Sequence, residues 1–450
     1  MLSKFAKLIF FASVLFYLFH FFFFWVYETP DSWLYWSFGE NIRAGHYQDI
    51  NPYHYKFPST MEPPLYSIFL FMADFFQRSD ILIHFWQLGA YLASAFFLFK
   101  ILKDTVSKNL ALIISSIFLL IPANLVYAAN LMSEAWALFF VTFYIYLAYL
   151  IIGKRKYYLI SIIMVFSAIM VLLRYNFIVF YVTAGGIFLF QKSKKRLMWG
   201  ALILSLGILG GWVVINHRLN GSWGLSNADG KHIYMSVVTI DHLLPPESDK
   251  SLIRLRQLVG SDSNLFRPWW VIEALILPKL DYNETEVSKL LKEVSISALI
   301  SHPLEYLTNV PSGYINAHES RVPYYDGLYS NGRYMVNCRS LGNIQFCRPI
   351  IGSLMADKIW DMIVKSGEVY YSRMATYINF IILFPAIIVA LFQKNRFIRF
   401  CGIVYILSSL FPVLIEESST RYLYPLYPLK IILGVWFVVT IWLRTYDKSI

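Results

Sequence analysis

The sequence predicts an all-α polytopic membrane protein with about ten transmembrane helices and a mixed domain on the outer face. Three observations lead to this fold class. Of the 450 residues, 57% are hydrophobic and only 15% are charged. Apolar stretches recur that approach the roughly 20 residues needed to cross a bilayer, and basic residues cluster in alternate connections between them. A composition this apolar argues against soluble globular classes.

Ten apolar stretches are predicted to cross the membrane. They lie at 7–26, 81–100, 110–127, 133–152, 157–173, 176–191, 197–216, 374–392, 397–415 and 424–443. The first follows Lys4 and Lys7 and has no small-residue cleavage site behind it, which is typical of a retained anchor helix with its N-terminus inside. The apolar segment 65–76 is too short to cross and contains Asp74, so we expect a helix in the outer interface.

The distribution of charge supports this count. Six connections assigned to the inside contain 17 lysine and arginine residues, whereas residues 27–80 contain three basic and seven acidic residues. An excess of basic residues in cytoplasmic connections is the expected bias. The net charge of +11 therefore reports membrane topology and gives little support to nucleic-acid binding.

The spans divide the chain into three predicted parts. These are an N-terminal transmembrane module (1–216) with a catalytic first outer loop (27–80), an outer domain (217–372) and C-terminal transmembrane helices (373–450). Cys338 and Cys347 lie in the outer domain, where an oxidising compartment would allow a disulfide; two free thiols are the alternative. The absence of a CxxC pair or a nearby histidine argues against a zinc site there.

Ionisable residues collect at the predicted outer ends of the helices. A charged side chain at the membrane boundary is costly unless it is paired or hydrated, so such residues mark functional sites more often than chance. The residues predicted to converge on one cavity are Asp31, Glu134, Arg174, Glu416, Glu417, Arg421 and Lys430.

This set of residues suits the transfer of a sugar from a lipid phosphate to a hydroxyl. A carboxylate must take the hydroxyl proton, and Asp31 is the predicted base, with Glu134 as a second catalytic residue. Arg421, Arg174 and Lys430 can supply the positive charge that stabilises the departing phosphate. The residues predicted to bind the sugar or the lipid are Trp33, Tyr35, Trp36, His54, Tyr66 and Tyr422.

The charged residues also have structural interpretations. Asp31 can cap a helix that starts next to Pro30, and Glu134 can stabilise the N-terminus of its own span. Arg174 and Lys430 can extend to lipid headgroups. Arg421 can form a salt bridge with one of the two preceding glutamates. Aromatic residues beside Asp31 are also common in interface belts that bind no ligand.

Seven short motifs follow one another between about residues 25 and 430. In chain order they are "TPDSWLYWSFGENIRAGHY", "EPPLY", "LMSEAW", "LLRYNF", "INHRLNGSWGLSNADGKHIY", "ISHPLEYL" and "RYLYPLYP". Their order resembles the GT-C glycosyltransferases, in the bacterial branch similar to protein O-mannosyltransferases and lipid A aminoarabinose transferases. Many members of that family have Asp-Glu in the first outer loop, whereas Ser32 follows Asp31 here. A second acid would therefore have to be Glu28, Glu40 or Glu134.

The resemblance implies a GT-C-like fold and an inverting transfer of a monosaccharide from a polyprenyl-phosphate donor. It also implies a multi-pass protein of a bacterial inner membrane, with its site facing the periplasm. The expected acceptor is a cell-surface glycan or lipid, with a protein hydroxyl as the rival. No cofactor is expected. The first outer loop has no DxD-like pair, which argues against a tightly bound metal and leaves a weakly bound divalent ion open.

Two other functions are compatible with parts of the sequence. A lipid-linked glycan polymerase or ligase would also have about ten spans and a large outer domain, but it would use a lipid-linked oligosaccharide. A transporter would need polar groups near the middle of the bilayer and often has two similar halves. Here the charges gather at one face and the halves do not match, so transport ranks third.

Overall fold

The computed structural model describes residues 2–23, 30–44, 56–57, 59–75, 79–190, 196–260, 264–318, 340–341, 344–345, 378–415 and 423–446. These residues are predominantly helical, as the sequence predicts. The α-helices are α1 (Leu2–Phe23), α2 (Pro30–Ala44), α3 (Pro64–Phe75), α4 (Ser79–Leu102), α5 (Lys108–Leu119), α6 (Pro122–Ala129), α7 (Glu134–Ala148), α8 (Ile160–Leu173), α9 (Ile178–Phe190), α10 (Arg196–Asn220), α11 (Asp229–Tyr234), α12 (Lys250–Val259), α13 (Trp269–Ile276), α14 (Glu284–Ser301), α15 (Pro303–His318), α16 (Phe384–Leu391), α17 (Arg396–Ile415) and α18 (Tyr427–Tyr446). Two short strands, β1 (Ser340–Leu341) and β2 (Ile344–Gln345), pair antiparallel.

Five helices within the described ranges are long and apolar enough to cross a membrane. They are Leu82–Leu102, Glu134–Gly153, Arg196–Asn220, Arg396–Ile415 and Tyr424–Ile441. All five coincide with predicted spans, and together they support a membrane-embedded helical protein. Four shorter apolar helices fall in other predicted spans: Lys108–Leu119, Tyr157–Leu173, Tyr175–Phe190 and Asn379–Leu391.

The stretch predicted as one span at 110–127 is two helices in the structure. α5 ends at Leu119, and the N–H of Leu120 bonds back to the carbonyls of the preceding turn. Pro122 then begins α6, because a proline has no N–H to continue the bonding pattern of α5 but fits the first turn of a new helix. Asn124 Nδ2 donates to Phe118 O at 2.6 Å and satisfies one carbonyl at this break.

The first hydrophobic core surrounds α7. This helix packs against α4 and α8, and most of its residues are buried. A helix that is apolar on all sides is expected to sit inside a bundle. α2 packs on α3 close to Gly39, where an added Cβ would lie 3.1 Å from Ser67 O. A side chain at position 39 would thus require the two helices to move apart by a few tenths of an ångström.

A second hydrophobic core lies in the region predicted as the outer domain. Residues of α11 to α14 form it, including Tyr234, Ile272, Val287 and Leu291. α11 packs so tightly on α14 that a Cβ added to Gly230 would lie 1.8 Å from Ser288 O. Among the described residues of 217–372, β1 and β2 are the strands, and neither contributes a residue to the second core. The second core is therefore helical.

Candidate functional site

Asp31, the predicted catalytic base, lies at the start of helix α2. Pro30 is its first residue and suits that place, because the first turn of a helix has no use for its missing N–H. Asp31 is the second residue, and Tyr35 lies one turn further on. Ser32 donates a hydrogen bond to Leu131 O at 2.7 Å. The first turn of α2 is thus fixed to the segment that precedes α7.

Glu134 and Arg174 form a buried ion pair. Arg174 Nη2 lies 2.6 Å from Glu134 Oε1, and the two side chains are 8% and 0% exposed. Glu134 begins α7, whereas Arg174 has an extended backbone directly after α8, so the pair joins the start of one helix to the end of another. Each charge compensates the other in surroundings that would penalise either one alone.

Ser133 connects the ion pair to α2. Its hydroxyl accepts a hydrogen bond from Arg174 Nε at 3.1 Å and lies 3.2 Å from Tyr35 OH. Ser133 directly precedes α7 but makes no side-chain hydrogen bond to cap that helix. The Ser133 hydroxyl therefore connects Arg174 to Tyr35 of α2 and does not cap α7.

Tyr66 completes this group from α3. Its ring meets the ring of Tyr35 edge-on, with centroids 4.8 Å apart. Its hydroxyl donates to Gln87 Oε1 at 2.9 Å, and Gln87 Nε2 donates to Ala128 O and Asn130 O at 2.8 and 3.0 Å. We define the ion-pair cluster as Tyr35, Tyr66, Ser133, Glu134 and Arg174. It brings together four of the residues predicted for the site.

Trp36 and Lys430 stand apart from these contacts. Trp36 follows Tyr35 and is buried. Lys430 lies near the start of α18 with its Nζ 5.1 Å from the ring centroid of Tyr427. Tyr427 in turn packs on Tyr424, whose hydroxyl is 2.7 Å from Tyr91 OH and donates to Asn124 Oδ1 at 2.7 Å. Lys430 thus contacts Tyr427, which belongs to a group of tyrosines with Tyr424 and Tyr91.

Several predicted residues lie outside the part of the chain that the structure describes. These are His54, Cys338, Cys347, Glu416, Glu417, Arg421 and Tyr422. For Asp31 and Trp33 the description covers the helical backbone of α2 and not the side chains.

Thr60 is the centre of a buried polar network that the sequence did not reveal. Its Oγ1 donates to Asn216 Oδ1 at 2.5 Å and accepts from Asn220 Nδ2 at 3.1 Å, while its N–H donates to Asn227 Oδ1 at 3.0 Å. Thr60 O accepts a hydrogen bond at 3.1 Å from the hydroxyl of Tyr175, the residue that follows Arg174. The asparagine-rich stretch "INHRLNGSWGLSN" indicates a polar site in this region, but it does not indicate that Thr60 is the residue these asparagines contact.

Lys231 is a second buried polar centre that the sequence did not reveal. Its Nζ lies 2.6 Å from Glu273 Oε1 and 2.5 Å from Glu284 Oε1, and the lysine side chain is fully buried. Burial lowers the pKa of Lys231, but the charges of Glu284 and Glu273 outweigh this effect and raise its pKa above the usual value. Ser59 Oγ donates to Glu284 Oε1 at 3.0 Å, which ties this centre to the neighbour of Thr60.

The described residues contain no group of three or more His, Cys, Asp or Glu side chains placed to hold a metal ion.

No family model matches the sequence, and neither the curated proteins nor the solved structures compared with it give a match. The site combines a buried carboxylate–guanidinium pair, tyrosine hydroxyls and a helix, α2, with an aspartate at its second position.

Proposed function

We propose that the protein is a GT-C-type membrane glycosyltransferase that moves a monosaccharide from a polyprenyl phosphate to an acceptor hydroxyl. The proposal includes about ten spans, a periplasmic domain at 217–372 and a site facing the periplasm of a bacterial inner membrane. The acceptor is a cell-surface glycan or lipid. One observation carries the proposal: Tyr35, one turn after Asp31, lies 3.2 Å from the hydroxyl of Ser133, which accepts a hydrogen bond from Arg174.

This connection gives each residue a distinct task. Asp31 takes the proton from the acceptor hydroxyl as it attacks the anomeric carbon. Arg174 offers a guanidinium to the phosphate that departs. The Glu134 oxygen that lies 2.6 Å from Arg174 is engaged by the guanidinium, so Glu134 is better suited to hold Arg174 in place than to receive a proton. Arg421, the leading phosphate ligand predicted from the sequence, and Lys430 complete the proposed phosphate-binding set.

The sequence predicts that Tyr35 and Tyr66 bind the sugar or the lipid, but both side chains are buried and their hydroxyls contact Ser133 and Gln87. In our proposal the two rings, which meet edge-on, pack behind the site and hold α2 against α3. Ser32, which occupies the place of the second acid found in many GT-C enzymes, donates a hydrogen bond to Leu131 O instead. In our proposal Ser32 therefore positions α2 and takes no part in proton transfer.

The test is release of polyprenyl phosphate by purified protein in liposomes. The liposomes contain a panel of polyprenyl-phosphate monosaccharides and an envelope extract as acceptor. We expect release with one donor, lowered about 10²–10⁴-fold by Asp31→Asn, because a general base contributes about that factor. Glu293→Gln, an exposed carboxylate on α14, is the matched control and should keep wild-type release.

Two outcomes would contradict the proposal. Near-normal release by Asp31→Asn would remove Asp31 from the role of base. Failure of every monosaccharide donor with well-folded protein, together with turnover of a lipid-linked oligosaccharide, would favour the glycan polymerase or ligase.

A further inference from the structure

Helix α15 lies against α17, one of the helices long enough to cross a membrane. Tyr306 OH donates a hydrogen bond to Leu414 O, and Tyr314 OH lies 2.9 Å from Ser409 Oγ. Along α17, the step from Leu414 to Ser409 corresponds to about 7.5 Å of helix rise. α15 therefore runs down the side of α17 from its C-terminal end and does not simply cross over that end.

One stripe of α15 makes these contacts, and a second stripe is exposed. Val310, Tyr314 and Ala317 pack with the first hydrophobic core. The exposed stripe consists of Leu304, Leu307, Pro311 and Ile315. Its members recur every three or four residues, which places them on one face of the helix. Leu304 is 77% and Leu307 60% exposed, so this face is apolar and open.

The last turn of α14 extends the exposed surface. Ile300 is 75% exposed and lies just before the bend at His302, where α14 ends and α15 begins. Leaving a leucine or isoleucine in water forfeits about 1.5–3 kcal/mol relative to burying it. α17 and the shorter apolar helix α16 expose Leu407 and Ile388 in the same manner. The exposed face of α15 therefore belongs to a helix that packs along a helix long enough to cross a membrane, where lipid would cover apolar side chains.

We propose that the last turn of α14 and all of α15 form an elbow inserted into the lipid leaflet at the C-terminal end of α17. Ile300, Leu304 and Leu307 contact the acyl chains there. His302 and Glu305 lie at the bend, with His302 Nδ1 3.4 Å from Glu305 Oε2, and polar groups of this kind fit the level of the lipid headgroups. Because α14 also belongs to the second core, the insertion fixes that core at a set height above the lipid.

The partner of this surface is the bilayer itself, and the inference does not depend on the catalytic activity. Site-directed spin labelling tests it in the full-length protein reconstituted in liposomes. Single cysteines are placed by Leu304→Cys, Leu307→Cys and Ile300→Cys, with the three native cysteines replaced by alanine. Leu407→Cys on α17 is the lipid-facing reference, and Glu293→Cys, an exposed polar position about two turns before Ile300 on α14, is the water-facing reference.

We expect the labels at the elbow to collide with oxygen more often than with a water-soluble nickel complex, as the label at position 407 does. The ratio of the two accessibilities should exceed the ratio at position 293 several-fold. A higher nickel accessibility at all three positions would place the elbow in water and overturn the proposal. Protection from both reagents would show that protein covers this face and would overturn it equally. Three separate positions keep the test decisive if one variant fails to fold.

Discussion

Removing one member of the Glu134–Arg174 pair should destabilise the protein far more than removing both. Arg174→Met leaves the fully buried Glu134 carboxylate without the guanidinium that lies 2.6 Å away. Loss of one partner from a buried pair costs about 3–5 kcal/mol, because the remaining charge is uncompensated. Glu134→Gln leaves the opposite charge behind and should cost a similar amount. The double variant contains neither charge, so the two effects should fail to add by about 2 kcal/mol or more.

The free energies of unfolding of the wild type and the three variants can be measured by SDS titration in mixed micelles. Single losses below about 1 kcal/mol would show that solvent reaches the pair and would refute the reasoning from burial. Strict additivity would show that each side chain is stabilised by other groups.

Activity of the same double variant separates structure from chemistry. If Arg174 only stabilises the bundle, a well-folded double variant should release polyprenyl phosphate at the wild-type rate. If Arg174 binds the departing phosphate, the variant should fold and yet lose release, because methionine has no donor for the phosphate.

Three further predictions concern the second core and can be checked by the same unfolding measurement. Lys231→Met should cost about 3–5 kcal/mol by leaving two glutamates buried together, and adding Glu284→Gln should recover part of the loss. Gly230→Ala should cost about 3 kcal/mol or more, because its Cβ would lie 1.8 Å from Ser288 O and the two helix backbones would have to separate. Asp249→Ala removes the N-cap of α12 and should cost about 1 kcal/mol at neutral pH. Hydrogen bonds from Ser251 and Ser297 lower the pKa of Asp249 to about 2, so this contribution should be complete above about pH 4, decline as the pH falls and disappear below about pH 2.

Local signals in the sequence predict where several helices begin. Pro64 begins α3 and Glu134 begins α7, each within a residue of the expected place. α2 begins at Pro30, so Asp31 lies in its first turn and is not the N-cap that its structural interpretation requires. Proline and acidic residues favour the first turn whatever the rest of the chain does, so such starts can be read locally. The same kind of signal at Pro122 divides the stretch predicted as one span, and there the apolar composition concealed the break.

The contacts across the site could not be read in the same way. Ser133 meets Tyr35, and Thr60 meets Asn216, although each pair is far apart in the chain. Hydropathy predicts that these residues lie near helix ends but not which ends are neighbours. A motif such as "LMSEAW" therefore indicated the importance of Glu134 without indicating that its partner is Arg174.

The segment 59–66 links the two hydrophobic cores to the ion-pair cluster. Ser59 bonds to Glu284 in the second core, and Thr60 bonds to the tyrosine that follows Arg174. Tyr66, a few residues later, packs edge-on against Tyr35. Buried hydrogen-bond networks of this kind hold a single arrangement, because each broken bond leaves a buried polar group unsatisfied. The geometry around Arg174 and Tyr66 is therefore coupled to the position of α14, and the depth at which the elbow enters the lipid would set the height of the proposed site.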